Sequence, residues 1–299
     1  MIRAIVEIAR NELLTALKTK RAVWVGAFYV ASAALAGFVL TIVIHNIESM
    51  LMDPLMAQGM SAEEAASAIS LSSEQSFVKM LAWFLDVEPD QVADVFRQSV
   101  IAPFFFWGSL SFLPFLIFLT SFDQVAADLQ SRAICYSTLR ASRTEILLGK
   151  LSAQTAIFVL LTIIASLVWL ALATASVSSF SVTTGLAGVV RMLFLLLPFG
   201  LCYLAISTFC SSAFRQPIAA LLAAFGIMMF LWAIGLLDKV PVDHELGLLH
   251  YGKYLSPSAY EDGLWLAGYW DPLVSSIAYL LFAAAFTSGA ALILRRRDL

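Results

Sequence analysis

The residues with the most chemical content in this 299-residue chain lie between Ser121 and Lys150, in the run SFDQVAADLQSRAICYSTLRASRTEILLGK. Two acids, Asp123 and Asp128, open the run. A basic ending follows, in which Arg143, Glu145, Gly149 and Lys150 bracket the apolar Ile146-Leu147-Leu148. Carboxylates, a guanidinium and an ammonium at such spacing suit charge-assisted pairing and docking rather than bond making. Gly149-Lys150 lacks the upstream glycine and the following Ser or Thr of a phosphate-cradling loop. No Ser/His/Asp set or carboxylate pair falls where a bilayer-embedded site could use it. The chain is therefore not expected to be an enzyme, and no catalytic or cofactor-binding residue is assigned.

A second group with chemical character is His45, Met50 and Met52, followed by Met56 and Met60. Thioethers are soft ligands that suit Cu(I). Methionine also fills gaps at apolar surfaces, and packing is the favoured reading here, so no metal is assigned. His244 and His250 are two lone loop histidines. Cys135, Cys202 and Cys210 show no ligand spacing and read as small apolar residues.

What must position these residues is an apolar body. The chain is 61% hydrophobic and 13% charged, against about 45–50% and about 25% in soluble domains. The expectation is an all-α membrane protein. Residues 1–22 form a basic amphipathic helix in the headgroup layer, with Ile2, Ile5, Val6, Ala9, Leu13 and Leu17 at helical spacing among Arg3, Arg10 and Lys18. A six-span domain fills 23–299, with spans at 23–44, 99–120, 154–174, 192–210, 217–237 and 272–294. A hydrophilic insert at 45–98 carries nine acids and should be a helical external cap or a docking surface for an accessory protein. The loop at 121–153 is expected to hold a short helix over 124–132, with Asp123 as N-cap and an i,i+4 pair of Asp128 with Arg132. Pro103 and Pro114 should bend the second span or mark its ends.

Six spans place both termini, the 121–153 loop and Arg215 on one side. That side holds thirteen of the 18 basic residues, so by the positive-inside rule it is expected to be cytoplasmic; a bacterial inner membrane is the expected location. Apart from Arg191 at an edge, no expected span contains an ionisable Asp, Glu, Lys, Arg or His. That argues against an ion-coupled pump and leaves Ser109, Ser111, Tyr203, Ser207 and Thr208 as the polar groups at depth. An intramembrane enzyme would need more. A substrate, if there is one, should be apolar or amphipathic.

The loop resembles the signature of type-2 ABC transporter permeases. That pattern is an Asp at the end of the second span, an acidic short helix, and a basic R-x-E-I-L-L-G-K ending. The matching residues are Asp123, Asp128, Arg143, Glu145, Ile146, Leu147, Leu148, Gly149 and Lys150. The leader around Arg10 and Glu12 is similar to the family's opening, and Leu255-Ser256-Pro257 to a segment before its last span. Asp128 stands where Glu is usual, and Arg132-Ala133 near the usual Gly-Thr. The resemblance implies a six-helix permease with an interfacial elbow helix (Arg10, Glu12). Its first cytoplasmic loop would couple through Asp123, Gln124, Asp128, Arg132, Arg143, Glu145, Gly149 and Lys150 to a separate ATPase that holds ATP and Mg. A second permease subunit, identical or not, and the lipid bilayer are the other partners; no nucleic acid is expected. The resemblance also implies export. The rival readings are a membrane scaffold or sensor with an external binding insert, and a copper-related ABC permease.

Overall fold

The computed structural model describes residues 2–18, 23–39, 42, 101–176, 182–236, 251–265, 268 and 270–297. The insert expected at 45–98, with His45, Met50 and Met52, lies outside the described residues. Among the described residues every regular element is helical: α1 (Ile2–Lys18), α2 (Val23–Val39), α3 (Ile101–Ser121), α4 (Ala126–Gln130), α5 (Ala133–Thr138), α6 (Arg143–Ser176), α7 (Val182–Ala213), α8 (Pro217–Gly235), α9 (Glu261–Trp265) and α10 (Trp270–Arg296). Helices satisfy every backbone group within one segment, which is what a hydrocarbon environment demands. Five of them are long and apolar enough to cross a bilayer, and the bent pair α1 and α2, inclined by 74°, is a sixth candidate.

Two helices begin well before their expected spans. The third was expected to start at residue 154, and α6 starts at Arg143; the fourth was expected at 192, and α7 starts at Val182. A helix of 34 residues is about 50 Å long at 1.5 Å per residue, whereas the hydrocarbon core is about 30 Å thick. The charged opening of α6 and the Ser/Thr/Gly opening of α7 continue helices past the apolar window, where hydropathy no longer marks them. Pro114 and Pro198 both sit inside helices and end neither.

α7 is the central strut. It packs along much of α10 and also against α3, α6 and α8. The fully buried side chains around it include Phe106, Leu113, Phe118, Leu196, Phe199, Ile206 and Tyr279. The Phe199 ring lies 4.9 Å from Tyr203 and 5.3 Å from Tyr279. Close approach of α6 to α7 requires Gly200, where a Cβ would stand 2.2 Å from the Phe158 ring. Small residues at helix contacts are the usual means of packing where lipid gives no hydrophobic drive between helices. The outward faces, including Phe112, Leu160, Phe194, Leu222 and Leu281, are apolar and exposed, as lipid contact requires.

At the end of the bundle away from Arg143 the chain folds back before α10. Two 3-10 turns, Tyr251–Leu255 and Pro257–Tyr260, precede α9. Ser256 caps the second, accepting from the Ser258 backbone N–H at 3.2 Å, and Pro257 takes the first helical position. Leu264 and Trp265 of α9 enter the core, with Trp265 edge-on to Phe106 at 4.9 Å. Glu261 opens α9 facing Asp262, Tyr203 and Tyr279, and burial, aided by the Asp262 charge, pushes its carboxyl up to about 7. Because the fold holds a proton that the unfolded chain has already released, the contribution of Glu261 to stability falls as pH rises from about 4.5 and levels off above about 7. Glu261→Gln should flatten that slope in thermal unfolding scans of the detergent-solubilised protein between pH 4.5 and 8, leaving the low-pH midpoint nearly unchanged.

Candidate functional site

The segment linking α3 to α6 is fastened to α7 by hydroxyl groups. α3 ends at Ser121, whose Oγ donates to Ser207 Oγ at 2.8 Å. The Thr208 hydroxyl donates to the Leu204 carbonyl at 2.7 Å, so its lone pair is free to accept from the buried Gln124 amide. One turn on, Ser211 Oγ accepts from the backbone N–H groups of both Val125 and Ala126, each at 3.0 Å. The first N–H groups of a helix need such acceptors. The expected N-cap, Asp123, is corrected: the cap position of α4 is Val125, and Ser211 of α7 accepts from the first N–H groups. Asp123 is half-buried and its carbonyl accepts from Ala127 at 2.9 Å. The helix is shorter than the expected 124–132, and a second, α5, follows it.

Below this joint, Val125, Leu129 and Ile134 close a small core with Leu147, Ala290 and Leu294. That core brings α4 and α5 against the openings of α6 and the end of α10. Beside it sits Lys150, only 4% exposed. Its ammonium bonds to Glu12 Oε1 of α1 and lies 2.9 Å from Asp128 Oδ2 of α4. The two carboxylate side chains retain 33% and 28% exposure. A buried ammonium is tolerable only when paired, and here two partners from two helices share it. Gly149 permits the arrangement: a Cβ there would stand 2.7 Å from Ile8 Cγ2 and 3.2 Å from the Ile5 carbonyl. Gly149 and Lys150 are thus a contact surface for α1. Arg10 is exposed on α1, on the side away from α6.

The expected pair of Asp128 with Arg132 does not form. α4 stops at Gln130, and Arg132 adopts φ 58, a left-handed conformation that turns the chain into α5. The i,i+4 geometry is lost there, and Asp128 is drawn instead to Lys150.

α6 opens with a capping box that the sequence analysis passed over. The Ser142 backbone N–H and hydroxyl donate to Glu145 Oε2 at 2.9 and 2.8 Å, and the Glu145 N–H donates back to Ser142 Oγ at 3.3 Å. Ser-x-x-Glu is its sequence signal. Arg143 reaches across to the end of α10, donating to the carbonyls of Leu294, Arg295 and Arg297 at 2.7, 3.0 and 2.7 Å. Arg297 in turn donates to the carbonyls of Ser212 and Ala213 at the end of α7, at 2.8 and 3.1 Å. Cations at helix C-termini satisfy orphan carbonyls and oppose the dipole.

Lys150 with Glu12 and Asp128, Gln124 with Thr208, and Arg143 with the α10 carbonyls are therefore brought into one joint. Glu145 sits at its edge, and Arg10 and Arg132 are exposed. Ser207, Ser211 and Arg297 belong to it without having been singled out for it. The arrangement positions the leader, the loop and the ends of α6, α7 and α10 against one another; among the described residues no three His, Cys, Asp or Glu side chains gather to hold a metal. Residues 6–241 match the family model described as ABC-2 family transporter protein. No curated protein matched the sequence.

Lys150→Met should leave two carboxylates facing each other and release α1. The expected loss lies near the lower end of the ~3–5 kcal/mol for breaking a buried pair, since both acids keep some solvent. Glu12→Gln and Asp128→Asn should each cost less, because the other acid still neutralises the amine. Thermal unfolding with limited proteolysis of the leader checks the order. Arg132→Gly, at φ 58, should raise stability by about 0.5–1 kcal/mol, the relief of left-handed strain less the entropy of glycine. Arg132→Val should lower it, read from the same melting curves.

Proposed function

The chain belongs to the ABC-2 family of transporter proteins, and on that premise we propose that this membrane permease exports an apolar or amphipathic substrate, driven by a separate ATPase that docks on the 121–153 loop. The family's membrane component carries no ATPase of its own, which accords with the absence of a P-loop around Gly149-Lys150 and makes an ABC ATPase subunit the expected partner. ATP and Mg are bound by that subunit. A second permease copy or a homologue completes the transporter.

The observation that carries the coupling reading is the Lys150 clamp. One buried cation ties the loop helix α4 to the third span and to the leader helix, so a push on the loop cannot be absorbed locally. The hydroxyl contacts to α7 extend the path to the central strut. In this reading Gln124, Asp128, Gly149 and Lys150 transmit, while Arg143 and Glu145 hold the receiving helices in place and Arg132 turns the chain. The basic end, with Arg143, Arg295, Arg296 and Arg297, faces the cytoplasm by the charge rule, and α1 lies in the headgroup layer of the inner membrane. The apolar or amphipathic cargo rests on the expected spans, which hold no Asp, Glu, Lys, Arg or His apart from Arg191 at an edge.

The test is reconstitution of the permease with its copurifying ATPase in vesicles. The wild type should move substrate outward on ATP hydrolysis. Asp128→Asn should reduce substrate moved per ATP about tenfold while hydrolysis stays within about twofold. An unchanged ratio would remove the clamp from the coupling path, and a complete complex containing no nucleotide-hydrolysing subunit would overturn the reading as a whole.

A further inference from the structure

The loop presents two faces, and they differ in kind. The α4 face is spent inside the fold: Val125, Ala126 and Leu129 are buried, and Asp128 is held by Lys150. The α5 face is open. Tyr136 is 76% and Leu139 82% exposed, at i,i+3 spacing on one side of the turn, and Leu139 is the most exposed large apolar side chain among the described residues. Arg132, Ser137 and Arg140 are exposed around them. Between Leu129 and Thr144 the chain has three arginines and no acid, and the third, Arg143, is occupied by the α10 carbonyls.

We propose that Tyr136 and Leu139 of the α5 turn, rather than α4, are the anchors that enter the partner ATPase, in a groove with an apolar floor and an acidic rim. This rests on the function proposed above and names its contact. Two observations select a protein rather than the bilayer. The leader helix crosses α6 at Gly149, against Ile8 and the Ile5 carbonyl, and carries exposed Ile2, Val6 and Leu17 for the headgroup layer. α6 begins six residues before that crossing, about 9 Å further out at 1.5 Å per residue, and α5 precedes that start. Ile134 at one end of α5 packs back against Leu147, and the Leu139 end, four residues from the start of α6, lies on the outer side of the crossing, where exposed apolar area is unfavourable unless a partner covers it. The uniform basic rim sets the partner's charge by complementarity. Aromatic anchors surrounded by charged residues are the arrangement that concentrates binding energy at protein interfaces.

The experiment uses the full chain in native membranes. A photoreactive benzoylphenylalanine is placed at position 136 or 139, and at position 112 on the lipid-facing side of α3 as a control. Irradiation should join positions 136 and 139 to a protein with a P-loop, and position 112 to phospholipid. Phospholipid adducts at 136 and 139 would mean that the turn lies on the bilayer, and would overturn the proposal. Separately, Tyr136→Glu and Leu139→Glu should each lower recovery of the ATPase that copurifies with the wild-type chain by at least tenfold. Their own melting midpoints should stay at the wild-type value, because both side chains are exposed. Undiminished recovery would overturn the proposal while leaving the transporter reading intact. Absence of a P-loop ATPase from the wild-type complex would instead overturn the reading on which it rests.

Discussion

A lysine ammonium out of contact with water must be neutralised where it lies, and the basic end of this molecule is arranged around that constraint. Lys150 is reached by Glu12 from the leader and Asp128 from the loop. Neither acid alone would fix both helices. Because the ammonium is a compact point charge with three donors, it can serve two carboxylates that approach from different directions, which a planar guanidinium does less readily. Gly149 beside it removes the one Cβ that would hold α1 away. The ion pairs are not an argument for great stability, since burial costs much of what pairing returns. Their effect is geometric: they set where two short amphipathic elements sit on a membrane bundle whose own surface is nonspecifically apolar.

The remaining contacts at this end are of a different kind. Three helix ends are finished by groups from elsewhere in the sequence: α4 by Ser211, α10 by Arg143 and α7 by Arg297. Each end would otherwise expose unpaired backbone groups at a partly buried junction. Reciprocal capping makes the ends of α6, α7 and α10 one plate, and the apolar cluster of Leu129, Ile134, Leu147 and Leu294 fills the space beneath it. The leader and the loop are attached to this plate, and the exposed arc of α5 is what remains on its surface.

The helical membrane fold was legible from composition and apolar run length, because about 20 apolar residues leave few alternatives in a bilayer. The helix starts were not, since α6 and α7 begin in polar sequence that hydropathy treats as loop. The candidate residues were partly legible. Gly149-Lys150 stood out, yet its role as a seat for α1 depends on Ile8 and Glu12, more than a hundred residues away. The Asp128–Arg132 pair was a sound local inference that lost to a tertiary one, because the left-handed turn at Arg132 ends the helix. The Arg132-Ala133 departure from the family's Gly-Thr was visible, and glycine is the residue such a turn accommodates without strain. The Ser142-x-x-Glu145 cap was readable and was overlooked. Ser207 and Thr208 were noticed only as polar groups at depth, since nothing in an isolated span tells which loop its hydroxyls will meet.

The hydroxyls on α7 recur one helical turn apart, at Ser207 and Ser211 and at Thr208 and Ser212. Neutral hydroxyl contacts of this kind are individually weak and have an equivalent partner one turn along. The Lys150 site has no such duplicate: a shift of one turn in either direction would present Ile146 or Gln154 in its place. The loop is thus held at one point that has no substitute, the ammonium, and along α7 by contacts that have equivalents one turn away.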